Sequence, residues 1–196
     1  MKEIKILGRG GQGAVTGAQV LATAAFLEGY WAQTFPQFGA ERRGAPVTAY
    51  VRLADEVIPI RSKVYAPDTV VVMDFNLFQM IRPLDGLKAD GTAIINCHAK
   101  QLSTLHALTD KPNRLFTIDA TEIAHAIYGR TTIPITNIII MGAYCAATGD
   151  VDLESIYKAL PDYFPEDKLE LNRKAAQVGF EGIEELTLNR ANRVIP

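Results

Sequence analysis

Six residues near the start of the chain have the types and spacing of a phosphate-binding loop. Their sequence, Gly-Arg-Gly-Gly-Gln-Gly, satisfies the G-x-G-x-x-G pattern. Glycines let the backbone approach a phosphate closely, and the unpaired amides at the start of a following helix point towards the anion. An arginine adds a planar, permanently charged donor. We therefore predict that a phosphate-bearing ligand binds at Gly8, Arg9, Gly10, Gly11, Gln12 and Gly13.

The residues alone do not identify the ligand of this loop. A dinucleotide fold needs an acidic side chain about 20 residues further on, to bind the ribose. That region is Gln33 to Pro36, and the nearest acids, Glu28 and Glu41, lie elsewhere, so NAD is disfavoured. Another phosphorylated ligand, or one shared with a partner chain, is favoured. A turn whose glycines only permit close packing of helix on sheet is the remaining alternative.

A second cluster, Phe38 to Pro46, places Arg42 and Arg43 between glycines just before a predicted strand. Two guanidinium groups can hold an anion bidentately. They can equally form salt bridges across a subunit interface or lie in a solvated loop. The cysteines and histidines predict no metal site, because Cys97 and Cys145 form no C-x-x-C pair and His98, His106 and His125 are scattered along the chain.

The predicted elements place the glycine loop between a strand, Glu3 to Leu7, and a helix, Ala14 to Tyr30. Three apolar runs are typical of strands buried on both faces. These are Thr69 to Met73, Gly91 to Ile95 and Arg114 to Asp119. Asp74, which follows the first of them, is expected to position a ligand at the carboxyl end of its strand or to cap a short helix, Asn76 to Ile81.

Other segments predict antiparallel strands and a helical last third. We expect strands at Trp31 to Phe35, broken by Pro36, and at Pro46 to Leu53, the latter pairing with Val57 to Ile60 as a hairpin. The predicted helices are Ala120 to Tyr128, one from Thr136 or Asn137 through Ala147, Asp152 to Leu160, and Glu166 to Val178. The fold class is therefore a three-layer α/β/α domain with a mixed, mostly parallel sheet.

Length and composition set the remaining expectations. A chain of 196 residues predicts one domain, 1–196, with residues 186–196 as a docking tail. The net charge of −2 argues against a nucleic-acid-binding protein. The most apolar stretch, Ile133 to Ala147, is interrupted by polar residues and is too short to cross a bilayer. With no signal-peptide pattern at Met1, the expected location is the cytoplasm.

Taken together, these motifs resemble the γ subunit of 2-oxoacid:ferredoxin oxidoreductases of the pyruvate:ferredoxin oxidoreductase type. The resemblance rests on the glycine loop, on the run from Phe35 to Pro46 with its Glu-Arg-Arg-Gly-Ala-Pro ending, and on the strand that follows it. Asp74 after a buried strand and the run Asn137-Ile-Ile-Ile-Met-Gly142 agree with it. It extends over essentially the whole chain.

The resemblance implies a non-catalytic subunit of a larger enzyme. Partner α and β subunits would bind thiamine diphosphate with its Mg ion, and a ferredoxin-like δ subunit would hold [4Fe-4S] clusters. This chain would assist assembly and contribute to coenzyme A binding, through Arg9 and the loop and through Arg42 or Arg43, unless those two arginines contact partner subunits. The expected substrate is pyruvate, with an aryl or branched-chain 2-oxoacid as the alternative. The isolated chain is expected to be inactive.

Overall fold

The computed structural model describes residues 1–37, 44–108 and 114–186, and these form one seven-stranded mixed sheet with helices. The strands are β1 Lys2–Arg9, β2 Trp31–Gln37, β3 Pro46–Ala54, β4 Thr69–Val72, β5 Thr92–Asn96, β6 Arg114–Ile118 and β7 Glu184–Leu186. The helices are α1 Ala14–Leu27, α2 Leu77–Met80, α3 Leu102–Leu108, α4 Ala120–Tyr128, α5 Asn137–Thr148, α6 Leu153–Ala159 and α7 Glu166–Glu181. Short 3₁₀ turns precede α3 and follow α6.

The strand order is β2-β3-β1-β4-β5-β6-β7. Strands β1, β4, β5 and β6 run parallel to one another, whereas β3 is antiparallel to both β1 and β2, and β7 is antiparallel to β6. This confirms the predicted mixed α/β sheet.

The two faces of the sheet are covered unequally. Alternate residues of β1 point to opposite faces, so Ile4 and Ile6 join a large apolar cluster with α1, α5 and α7. Leu7 joins a smaller cluster on the other face, where it packs with residues of β4 and β5. The third layer is thin there, because among the described residues α2, α3 and connecting loops are what covers this face. The sheet is therefore well enclosed on the α1 side and partly open on the other.

Two strand predictions were wrong. Val57 to Ile60 does not pair with β3, since β3 lies between β2 and β1 and both of its edges are already hydrogen-bonded. Pro36 does not end β2, which continues to Gln37. Because β2 is an edge strand, a residue without an amide hydrogen is tolerated there. The helices and the parallel strands agree with prediction within a few residues, whereas β7 and α3 were not predicted.

Candidate functional site

The candidate site lies where the four parallel strands end. Ligands of open α/β sheets bind beyond the carboxyl ends of the strands, at the point where the strand order reverses. Here β1 ends at Arg9, β4 is followed by Asp74, β5 ends at Asn96, and β6 is followed by Asp119. All four side chains line one cleft of about 320 Å³.

Asp74 connects the glycine loop to the next strand. Its Oδ2 accepts hydrogen bonds from Arg9 Nε at 2.6 Å and from Gln12 Nε2 at 2.8 Å, and its Oδ1 accepts from the Asn76 amide at 2.9 Å. Asp74 is only 7% exposed and Gln12 only 1% exposed. The carboxylate therefore fixes the direction of the arginine and also begins the turn into α2. Of the two roles considered for Asp74 from the sequence, the one at the start of α2 is seen in its bond to the Asn76 amide.

Arg9 keeps donor capacity after this ion pair. The bond to Asp74 uses Nε, and the terminal guanidinium nitrogens make no hydrogen bond to any described residue. The Arg9 side chain is 29% exposed and borders the cleft. A planar guanidinium held at one edge presents its other edge for an oxyanion.

Most backbone amides of the glycine loop are already occupied. The amide of Arg9 donates to Gln12 Oε1 at 2.8 Å, that of Gly10 to the Ala45 carbonyl at 3.0 Å, and that of Gln12 to the Arg9 carbonyl at 3.0 Å. Within the described ranges, no hydrogen bond uses the amides of Gly11 or Gly13. These two, with the first turn of α1, are the donors left for an anion. Fewer backbone amides are therefore available to an anion than the six-residue motif suggests.

The glycines serve packing as well as ligand access. Gly13 has a φ of +80°, and a Cβ added there would lie 2.5 Å from Asn137 Nδ2 at the start of α5. Gly11 has a φ of +101° but is exposed, with Ile133 no closer than 3.5 Å to an added Cβ. Gly13 is thus required by the contact of α1 with α5, and Gly11 by the turn itself. The alternative in which the glycines of the turn serve only close packing therefore explains Gly13.

The dinucleotide alternative loses its structural basis at β1. In the dinucleotide-binding sheet, a parallel strand beside β1 ends in the acid that binds the ribose. Here the neighbour on that side is the antiparallel β3, which begins at Pro46 next to Arg9. The nearest strand on that side that ends at the same edge is β2, one strand further out, and Trp31–Gln37 contains no acidic side chain. This topology agrees with the absence of an acid between Gln33 and Pro36.

Two histidines that the sequence left apart line the same cleft. His98 Nε2 lies 3.8 Å from Asp119 Oδ2, and His125 Nδ1 lies 3.7 Å from Glu122 Oε2. Both ring nitrogens of His125 are buried and have no hydrogen-bond partner in the described part of the chain. His98, Asp119 and His125 were not predicted as site residues. The signal was available, because His98 and Asp119 follow the ends of predicted strands, as Asp74 does.

Asn96 holds the floor of the cleft together. Its Nδ2 donates to the Met73 carbonyl and to Thr121 Oγ1, each at 2.9 Å, so that β4, β5 and α4 are joined. The neighbouring Cys97 is buried, and burial, with a smaller contribution from Asp119, raises the pKa of its thiol to about 11. Cys97 is therefore protonated near neutral pH and is no nucleophile.

The remaining predicted residues could not be placed. Arg42 and Arg43 lie outside the described residues, as does the tail beyond Leu186. No group of three or more histidine, cysteine or acidic side chains that could hold a metal is found in the described ranges. No described helix is long and apolar enough to cross a membrane.

The family follows from comparison with known proteins. The family model described as pyruvate ferredoxin/flavodoxin oxidoreductase matches residues 3–182. A relative from Pyrococcus abyssi, the common subunit gamma of pyruvate/ketoisovalerate oxidoreductases, is 48% identical over 181 residues, covering 92% of this chain and 96% of the relative. The chain belongs to the pyruvate ferredoxin/flavodoxin oxidoreductase family. It is a gamma subunit of a multi-subunit 2-oxoacid:ferredoxin oxidoreductase, as the resemblance predicted.

Solved structures share this fold. The pyruvate oxidoreductase subunit PORC from Thermotoga maritima superposes with a TM-score of 0.80 at 34% identity, covering 95% of this chain and 98% of that one. A chain of the 2-oxoglutarate:ferredoxin oxidoreductase from Magnetococcus marinus, solved with 2-oxoglutarate, coenzyme A and succinyl-CoA bound, superposes with a TM-score of 0.71 at 18% identity. The match covers 91% of this chain and 30% of that longer one.

Proposed function

We propose that this subunit supplies part of a coenzyme A site to a complex that oxidatively decarboxylates a 2-oxoacid to acyl-CoA and carbon dioxide. The observation that carries the proposal is the Arg9 guanidinium, held by Asp74 at the carboxyl edge of the sheet with its terminal nitrogens unused by described residues. Coenzyme A carries a pyrophosphate and a 3′-phosphate, and either group suits these donors. The free amides of Gly11 and Gly13 and the start of α1 add to them.

The division of labour among subunits is part of the proposal. Four thiolates normally bind a [4Fe-4S] cluster, and this chain has two cysteines, Cys97 and Cys145, both buried. The clusters would therefore reside on a ferredoxin-like δ subunit, and thiamine diphosphate with Mg on α and β subunits. The residues of this chain would bind and orient coenzyme A, while bond breaking takes place on the partners. Gly8, Gly10 and Gln12 would shape the loop, and Arg42 and Arg43 would contact coenzyme A or a partner.

Pyruvate is the proposed 2-oxoacid, with a branched-chain 2-oxoacid as the second candidate. The name of the Pyrococcus abyssi relative, a subunit common to pyruvate and ketoisovalerate oxidoreductases, favours keeping both. A gamma subunit shared by two enzymes is what we expect if the pocket for the 2-oxoacid lies on other subunits. Arg9 would then affect coenzyme A equally with either substrate.

The test is the replacement of Arg9 by alanine in the assembled complex. A hydrogen bond to a charged group contributes about 1.5–3 kcal/mol, but the nearby Asp74 carboxylate weakens the attraction, so we expect a rise of about tenfold in the KM for coenzyme A. The KM for the 2-oxoacid should not change. Arg173→Ala, on the exposed surface of α7, is the matched control. An unchanged KM for coenzyme A in Arg9→Ala would exclude direct contact.

A further inference from the structure

A second groove, larger than the candidate site, lies on the sheet face that α1 does not cover. Its volume is about 420 Å³. Its floor is formed by Lys5 of β1 and by Thr48 and Tyr50 of β3, which share a face because Lys5 pairs with Tyr50. Its walls are the loops that carry Lys63, Tyr65 and Asp85. Nothing in the coenzyme A proposal uses this groove.

The walls of the groove are fixed by specific contacts. Lys5 Nζ donates to the Pro83 carbonyl at 3.0 Å and to the Asp85 carbonyl at 3.2 Å. Arg52, only 1% exposed, donates to the Ser62 carbonyl at 2.6 Å and pairs with Glu3 Oε1 at 2.8 Å. Arg52 therefore fastens one loop to the sheet and Lys5 fastens the other. Such a groove is formed before any ligand arrives.

The two loops also touch each other closely. Gly86 has a φ of +85°, and a Cβ added there would lie 2.2 Å from the Tyr65 carbonyl oxygen. Only glycine permits both this backbone conformation and this approach. The contact joins the two walls of the groove and holds the Tyr65 backbone, while the residue as a whole is 76% exposed.

The groove has an excess of positive charge. Lys5 and Lys63 both line it, and neither ammonium group lies within 4.0 Å of a carboxylate of the described residues. Burial is the main cause that lowers the pKa of Lys5; Asp85 opposes this, and the charge of Lys63 lowers the pKa further. The two positive charges repel each other, and an anion placed between them would stabilise both ammonium groups.

The loop at the rim of the groove carries exposed apolar side chains. Tyr65 is 76% exposed and Ile60, on the same loop, is 41% exposed. Exposed tyrosine rings are typical of protein interfaces, where tyrosine is enriched. The Lys63 Nζ lies 5.9 Å from the centroid of the Tyr65 ring, so this ring and this charge form one surface. A small anion would satisfy the lysines but leave this rim in water. A protein surface bearing a carboxylate would cover both.

We propose that this face docks a partner subunit of the oxidoreductase, which inserts an aspartate or glutamate side chain between Lys5 and Lys63 and packs an apolar side chain on Tyr65. The proposal rests on the membership of the chain in a multi-subunit complex, and it is independent of coenzyme A binding. Lys5 is already half-buried, so it loses less hydration on pairing than a fully exposed lysine would. The charge pair would chiefly set specificity and the rate of association.

The test measures association of this chain with the rest of the complex. Lys63 is exposed, makes no hydrogen bond to described residues, and has its Nζ 5.9 Å from the centroid of the exposed Tyr65 ring. We therefore expect Lys63→Glu to reverse a charge without disturbing the fold. Lys174→Glu, on the exposed surface of α7, is the matched control. We expect the Kd of the Lys63→Glu chain for the remaining subunits, titrated at low salt, to rise about tenfold or more. The control should stay within about twofold of wild type.

A second variant tests the apolar part. Tyr65→Ser removes the exposed ring, and its thermal unfolding should match that of wild type because the side chain is mostly in water. We expect it to weaken association as well. Unchanged association in Lys63→Glu or in Tyr65→Ser overturns the proposal, as does equal weakening by Lys174→Glu. The experiment measures the Kd for association of subunits and not the KM for coenzyme A. A negative result would therefore not affect the coenzyme A proposal.

Discussion

Asp74 shows how much one side chain can organise at the scale of single residues. It accepts three hydrogen bonds, from Arg9, from Gln12 and from the Asn76 amide. Its position after a buried strand was predictable, because that strand is a continuous apolar run that ends there. Its partner Gln12 was not predictable, since a glutamine within a glycine-rich loop gives no sign that its side chain is buried. Only the folded loop brings the amide group beneath the carboxylate.

Replacing Asp74 by asparagine should destabilise the chain. The amide oxygen can replace only one of the two carboxylate oxygens. The new NH2 group then faces either the Asn76 amide or the pair Arg9 Nε and Gln12 Nε2, so at least one donor loses its acceptor. Unsatisfied buried donors cost about 1–3 kcal/mol each, so we expect the free energy of unfolding to fall by about 2–3 kcal/mol in urea denaturation. The exposed Asp162→Asn is the control and should unfold like wild type. Wild-type stability for Asp74→Asn would show that this network contributes little.

Cys145 makes stability depend on alkaline pH. It is 3% exposed on α5, and burial above all, followed by Glu28 and Asp152, raises the pKa of its thiol to about 12. The unfolded thiol ionises near pH 9 while the folded one stays protonated, so stability is complete below pH 9 and falls as pH rises towards 12. Each such group contributes a slope of about 1.4 kcal/mol per pH unit.

Urea denaturation between pH 8 and 10.5 measures this slope. Tyr128, whose pKa burial raises to about 12, contributes to the same decline. Cys145→Ala should therefore lose less stability over this range than wild type, by about 2 kcal/mol. Identical pH dependence of the two proteins would mean that the Cys145 thiol is not buried as described.

At the scale of secondary-structure elements, helices α5 and α7 cross at two glycines. This contact determines how the helices pack on the α1 face of the sheet. A Cβ added at Gly142 would lie 1.9 Å from the Ala176 carbonyl oxygen, and one at Gly179 would lie 1.9 Å from the Ile139 carbonyl oxygen. The two backbones therefore touch directly. Gly142 belongs to the motif that carried the sequence resemblance, and its role there is the approach of α7.

Alanine at either glycine should be strongly destabilising. In an exposed helix, glycine-to-alanine replacement stabilises by about 1 kcal/mol, but here the helices must separate, so we expect a loss of about 3 kcal/mol or more. Gly17→Ala on α1 is the matched control, because its added Cβ would meet Asn137 at 3.4 Å, an ordinary contact distance. Thermal unfolding of the three variants measures the difference. Stability of Gly142→Ala close to that of Gly17→Ala would contradict this packing.

Element types could be predicted from the sequence because each has a local pattern. The buried run of β4 and the alanine-rich α1 depend only on neighbouring residues. The hairpin at Val57 to Ile60 was wrong because pairing depends on which strand edges are free, and β2 and β1 occupy both edges of β3. Short β7 contains two glutamates and has no apolar alternation that would identify it.

At the scale of the whole molecule, strand order brings the site together. Arg9, Asp74, Asn96 and Asp119 follow strands separated by many residues, and they converge because β1, β4, β5 and β6 are adjacent and parallel. The sequence predicted the glycine loop and Asp74, but it left His98 and His125 unconnected because their proximity depends on that order. The groove beside Lys5 likewise arises only when β3 inserts next to β1.

Coenzyme A binding to the assembled complex tests the central claim most directly. Equilibrium titration of coenzyme A, with the 2-oxoacid left out so that no turnover occurs, compares wild type with Arg9→Ala and Arg173→Ala. We expect a Kd about tenfold higher for Arg9→Ala and an unchanged value for Arg173→Ala. Equal affinity of all three complexes for coenzyme A, with Arg9→Ala fully assembled, would contradict it.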